Sequence, residues 1–279
     1  MQAIIVPTDF SSNAYNAAQY AIALAADLKA TRLIIYNAFQ PYIPDDPELS
    51  MAPLQMDINE FRELSRIGLM KMKEKLSPGI PSSLQVEYES EYNIAKMGII
   101  DACEKYNAEL IVMGISGAGT KLEESLIGST AVDVSRLSHK PVIIVPEGAA
   151  YAGIKKILMV ADFKKVEQTT PVEEIKKILD ATKAHLDVLH VEANDNDSEK
   201  ALEKEKNLFD SFFTNYDVAY HFIKGDNFAD VVNAFAIGTK SDLIIVIPKK
   251  HSLLEQIFKR SHSKALAFHS DLPVLNIHG

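Results

Sequence analysis

One stretch of the chain concentrates residue types suited to holding phosphate. MGISGAGTKLEESLIGST (113–130) places Gly114, Gly117 and Gly119 after an apolar run, and Gly128-Ser129-Thr130 at the start of a helical pattern. Glycines permit positive φ and let backbone N–H groups approach an anion closely, and a helix N-terminus adds partial positive charge. Asp9 closes an earlier apolar run, AIIVPTDF (3–10). If both runs are neighbouring parallel strands, Asp9 stands as an acceptor for an adenine amino group or a ribose hydroxyl beside a phosphate cradle. A plain turn is the competing reading of the glycines. The pattern is not a P-loop, since GxxxxGK[ST] is absent, and not a dinucleotide fingerprint, since no GxGxxG follows the first run.

Other chemistry-bearing residues point to less. Seven of the eight histidines lie beyond residue 184, yet no HExxH or i,i+4 histidine pair occurs, and His251, His262 and His269 are spaced too widely on a helix to share one ion. They read as surface and interface histidines, and no metal site is expected. Cys103 sits in a helical pattern without a nearby histidine and reads as a buried, inert thiol. Ser129 has no GxSxG elbow around it, so a helix-capping and phosphate-bonding role is preferred to a nucleophilic one. No general base accompanies the glycines, and the chain is expected not to be an enzyme, with slow hydrolysis by bound Mg2+ and water as the outside reading.

The elements that must position these residues appear twice. AIIVPTDF (3–10) returns as KILMVADF (156–163), AELIVMG (108–114) as SDLIIVI (241–247), and KPVIIVP (140–146) as LPVLNIH (272–278). Continuous Val/Ile/Leu runs alternating with helical periodicity predict parallel strands buried on both faces and joined by helices. In the first copy the strands fall at 3–7, 32–38, 84–88, 109–113 and 141–145, with helices near 13–29, 56–76, 94–106 and 124–138. Ser11, Ser12 or Asn13 caps the first helix, and Ala17, Ala18, Ala21, Ala25 and Ala26 form its packing face. In the second copy the strands fall near 155–161, 186–191, 218–223, 242–247 and 273–277, after a short linker, PEGAAYAG (146–153). The expectation is an α/β fold of two tandem five-stranded parallel-sheet domains, 1–147 and 153–279. FQPYIPDDPELSMAP (39–53), with its four prolines, reads as a surface connector.

Composition is in keeping with this. Hydrophobic residues make up 47% and charged residues 24%, ordinary values that exclude a disordered chain and a disulfide-stapled mini-protein. The single cysteine cannot form an internal disulfide. The net charge of −9 repels a polyanion, so nucleic acid is not an expected partner. No apolar run approaches the roughly 18 residues of a membrane span, and MQAIIVPTDF has no basic n-region of a signal peptide. A cytoplasmic protein is expected.

The chain resembles a tandem universal stress protein, with two UspA-type domains over nearly its whole length. The residues that carry the likeness are VPTDFS (6–11), AELIVMG (108–114), the GxxG of Gly114 and Gly117, GST (128–130) and KPVIIVP (140–146). The resemblance implies a Rossmann-like, adenine-nucleotide alpha-hydrolase-like fold. It places Pro7, Thr8, Asp9 and Asn37 on the nucleoside and Met113, Gly114, Gly117, Gly128, Ser129 and Thr130 on the phosphates of ATP, with Mg2+ on the phosphates. ATP-binding members carry G-x2-G-x9-G-[ST], whereas ten residues separate Gly117 from Gly128 here. The family also implies a stress-response or regulatory role and pairing of domains through their last strands, here 142–145 with 274–277. That gives a pseudo-dimer able to form a homodimer. The second copy, IPKKHSLLEQIFKRSHS (247–263), has no glycine in the corresponding stretch and reads as degenerate for ATP. The alternative is an interaction module of the same fold with no nucleotide in either domain.

Overall fold

The computed structural model describes residues 1–40, 57–115, 129–192, 199–225, 227–247 and 272–278. The first half runs β1 (Ala3–Pro7), α1 (Ser12–Asp27), β2 (Arg32–Phe39), α2 (Ile58–Leu76), β3 (Gln85–Tyr92), α3 (Ala95–Lys105), β4 (Leu110–Gly114), α4 (Ser129–Leu137) and β5 (Val142–Val145). The second half runs β6 (Lys156–Val160), the short α5 (Val166–Thr169), α6 (Val172–Thr182), β7 (His185–Glu192), α7 (Glu199–Phe212), β8 (Val218–Lys224), α8 (Phe228–Thr239), β9 (Leu243–Val246) and β10 (Val274–Asn276).

The strands form one ten-stranded sheet in the order β3-β2-β1-β4-β5-β10-β9-β6-β7-β8. Each half has the same internal order, and every pairing is parallel except at the seam. There β10 lies antiparallel to β5, with Val274 opposite Ile144, Leu275 opposite Ile143 and Asn276 opposite Val142. The fold is therefore α/β with a mostly parallel sheet, repeated in tandem. Helices cover both faces, which is why β1, β4 and β5 can be apolar at nearly every position. One core, built on α1, α2, α6 and α7, runs unbroken beneath both halves. The opposite face divides into two clusters, one beneath α3 and α4 and one beneath α8.

Helix α1 illustrates how the local sequence sets its element. Ser11 is the cap, its hydroxyl accepting the Ala14 N–H at 3.2 Å. Ala14, Ala17, Ala18, Ala21 and Ala25 are buried against the sheet, whereas Ala26 is exposed because it lies a quarter-turn off that stripe. Strand β3 extends to Tyr92, four residues past the expected end. Its glutamates look like a loop in sequence, but Glu87 receives Arg32, and Glu91 pairs with Lys105 and accepts from the Tyr36 hydroxyl. A charged face on an edge strand also deters pairing with another sheet.

Cys103 is buried within α3, and burial pushes its thiol up to about 11, the Lys140 charge pulling the other way. At pH 8 almost no thiolate is then present. Alkylation of the native protein by iodoacetamide is expected to be at least tenfold slower than that of the urea-unfolded chain, as mass spectrometry of the modified peptide would read. Equal rates would mean that α3 opens far more readily than its packing implies.

Candidate functional site

Because each parallel strand delivers its helix at the same end of the sheet, three helix N-termini converge beyond β1 and β4. Between them lies a cleft of about 300 Å3. Asn13 and Ala14 come from the first turn of α1, Ala95 opens α3, and Thr130 and Ala131 belong to the first turn of α4. Partial positive charge at three helix starts favours an anion in this space.

The turn after β1 shapes one wall. Thr8 N–H continues the strand ladder to the Tyr36 carbonyl at 2.8 Å. The Thr8 hydroxyl then accepts Phe10 N–H at 2.9 Å, and the Asp9 carboxylate accepts Ser11 N–H at 3.0 Å. These bonds hold Phe10 in the left-handed region, at φ 67°, a conformation that costs a non-glycine residue about 1–2 kcal/mol. Asp9 is left exposed at the mouth of the cleft.

Asn37, at the end of β2, is buried and its amide is committed at both ends. Its Nδ2 donates to the Thr8 carbonyl at 2.6 Å, and its Oδ1 accepts the Ser65 hydroxyl of α2 at 2.6 Å. Asn37 thus braces the Asp9 turn while lining the cleft. Replacing Ser65 by Ala strands the buried Asn37 oxygen, and urea denaturation is expected to show a loss of about 1–3 kcal/mol. A loss below 0.3 kcal/mol would mean that the brace carries no load.

Gly114 ends β4 where the strand presses on the start of α1. A Cβ there would overlap the Asn13 carbonyl, lying 2.6 Å from its carbon. The glycine therefore answers first to packing between β4 and α1, a reason the sequence pattern did not reveal. Of the ten expected site residues, Pro7, Thr8, Asp9, Asn37, Met113, Gly114 and Thr130 line this one cleft. Ser129 is the first residue of α4, and Gly117 and Gly128 lie outside the described residues. Tyr36, Ala38, Ala95 and Ile99 also line it and were not singled out from sequence. The i,i+4 spacing of Ala95 and Ile99 at the start of a helix is the one signal that could have pointed to α3.

In the second half the same turn recurs with different contents. Phe163 adopts φ 49°, and Asp162 accepts Lys164 N–H at 3.1 Å, repeating Phe10 and Asp9. His190 takes the place of Asn37, its Nδ1 lying 2.9 Å from the Ala161 carbonyl. Phe163 is buried where Phe10 is exposed, stacked on Phe222 at 5.9 Å and packed edge-on to Phe209. Aromatic rings fill the inner side of this turn. The glycine-free stretch 248–263 lies outside the described residues, as do His251, His262 and His269.

Sequence reasoning missed a polar cluster at the other end of the second half's strands. Asp187, 3% exposed in β7, accepts from His221 Nε2 at 2.7 Å and His185 Nε2 at 3.3 Å, with Lys156 Nζ 3.7 Å away. The outer nitrogen of His185 meets Asp217 at 2.8 Å. Two of the histidines taken for surface residues thus serve a buried carboxylate. Among the described residues no group of His, Cys, Asp and Glu is arranged to hold a metal ion, and no helix is long and apolar enough to cross a membrane.

Comparison with known proteins agrees with this geometry. The family model described as the universal stress protein family matches residues 1–146. A universal stress protein of Methanocaldococcus jannaschii is 30% identical over 143 residues, covering 51% of this chain and 80% of its own. Among solved structures, a universal stress protein from Archaeoglobus fulgidus superposes with a TM-score of 0.70 at 19% identity, over 99% of this chain and 95% of its own. A functionally unknown protein from Pseudomonas aeruginosa superposes with a TM-score of 0.60 at 14% identity, over 99% of this chain and 92% of its own. The last two share the fold across both halves. With the family model covering more than half of its length and a relative at 30% identity, the chain belongs to the universal stress protein family.

Proposed function

We propose that the first half, residues 1–147, binds one adenine nucleotide, ATP being the preferred ligand, and that the protein serves as a non-catalytic regulatory component of a stress response. The observation that carries this reading is the convergence of three helix N-termini on a cleft whose mouth holds an exposed carboxylate. The dipoles suit the phosphates, and Asp9 suits a ribose hydroxyl or the adenine amino group. Mg2+ would ride on the phosphates. When bound, the ion would neutralise phosphate charge; Thr130 and the α4 amides would orient the phosphate chain, and the braced Asp9 turn would hold the nucleoside.

The second half, residues 153–279, acts in this reading as an intramolecular partner without a nucleotide, its turn packed with Phe163 and Phe222. The seam strands make it a pseudo-dimer within one chain. Function would follow from mass action: a ligand that binds only the folded state stabilises it by about 2.7 kcal/mol at a hundredfold excess over Kd.

The test is acid extraction of freshly purified protein, with chromatography of any released nucleotide, on the wild type and on Asp9→Ala. Near-stoichiometric ATP in the wild type, lost in the variant, is the expected result. An empty wild type whose melting temperature does not move in millimolar Mg-ATP would overturn the reading and leave an interaction module of the same fold.

A further inference from the structure

Helix α4 belongs to the first half, but its C-terminal end is held by the second. The last turn of a helix leaves carbonyls without intrahelical donors. In α4 the Ser135 carbonyl accepts Asn276 Nδ2 at 2.6 Å and lies 2.5 Å from His278 Nε2. Asn276 sits in β10 and His278 just beyond it, so both donors reach across the β5–β10 seam.

Asn276 is an unusual residue for its place, and its shortest polar contact is this bond, with His278 Nε2 farther off at 3.3 Å. It is fully buried in an otherwise apolar strand, and in the internal repeat its counterpart in β5 is Ile144. Its own Oδ1 and the Ser135 hydroxyl are buried with no hydrogen-bond partner. An apolar residue would avoid that penalty, so the amide is explained by the carbonyl it caps. The opposite end of the same nine-residue helix carries Thr130 and Ala131 into the cleft.

We propose that Asn276 and His278 are positioning residues for the phosphate end of the nucleotide site. They cap α4 from the second half and so fix where its N-terminal amides stand. This inference rests on the nucleotide reading of the cleft and adds to it a division of labour. The nucleoside end is set by β1, β2 and α2 of the first half, whereas the phosphate end depends on the seam. Coupling between two sites is reciprocal, so a bound triphosphate would in turn tighten the seam.

The experiment uses the full chain and measures the Kd of ATP and of adenosine by titration calorimetry for the wild type, Asn276→Leu, His278→Ala and Val274→Ala. Val274 lies on the same strand, opposite Ile144, and makes a purely apolar contribution. Both cap variants are expected to weaken ATP by about threefold to tenfold, the range of a helix-end interaction, with adenosine unchanged. Val274→Ala is expected to lower the melting temperature and leave the ATP-to-adenosine ratio alone. Should Asn276→Leu fail to fold, His278→Ala decides. Cap variants with the wild-type ratio would overturn the positioning role while leaving nucleotide binding intact. A wild type that binds neither ligand would overturn the nucleotide reading, and this inference with it.

Discussion

Gly114→Val is expected to empty the proposed nucleotide cleft and to lower stability by about 1–3 kcal/mol, the usual range for forcing extra carbon into a packed interior. A Cβ at this position meets backbone, the Asn13 carbonyl, which cannot rotate away as a side chain can. Either β4 or the start of α1 must move. Moving α1 displaces Ser11, its cap, and with it the Asp9 turn that Ser11 N–H holds. The substitution therefore acts on the cleft through its wall, and ATP affinity should fall by more than tenfold. Gly238→Ala is the matched control, because a Cβ there meets nothing within 4 Å and the residue lies in α8. It should leave ATP binding unchanged and raise stability by up to about 1 kcal/mol. Calorimetric titration and thermal melts on both variants suffice. Wild-type ATP affinity in Gly114→Val would show that the ligand does not depend on the β4–α1 contact.

Gly114 also marks how far the sequence reaches. Its place at a strand end, beside Asp9 and before a helix, was legible because apolar runs, capping residues and the internal repeat are local signals. The same signals placed the strands of both halves within a residue or two, β3 excepted. What they could not convey is the direction in which a residue presses. The glycine pattern suggested close approach of a ligand; at Gly114 the structure adds close approach of α1. Asn37 was expected at a ligand and lines the cleft, but it also bonds Thr8 and Ser65, and those bonds join residues 28 or 29 positions apart. β3 was cut short because its glutamates find their partners on β2 and α3, outside any local window. Asp187 was invisible for the same reason. In the register of the sheet it stands where the first half has Ile34, since Leu158 pairs with Asp187 as Ile5 pairs with Ile34.

That substitution of a carboxylate for an isoleucine sets the second large effect. Asp187→Ala is expected to destabilise the protein by about 2–4 kcal/mol, because it removes the buried carboxylate that Lys156, His185 and His221 share and leaves only His185 with another acidic partner, Asp217. Their side chains are 27–35% exposed, so water screens part of the loss and the figure falls towards the lower end of the range for buried pairs. Asp187→Asn keeps an acceptor for His221 and should cost less than the alanine variant. Asp187→Ile restores the volume found at Ile34 but strands the same three donors, so it should lie near the alanine variant rather than near the wild type. Urea midpoints at pH 7 order the three. If Asp187→Ile matches the wild type, the cluster contributes packing volume only and its hydrogen bonds offset no more than their own desolvation. Position separates this effect from the proposed nucleotide site. Lys156 and His185 open their strands, whereas the cleft lies beyond the opposite ends of β1 and β4. Measured at a temperature where every variant is folded, ATP affinity should therefore be unchanged in all three.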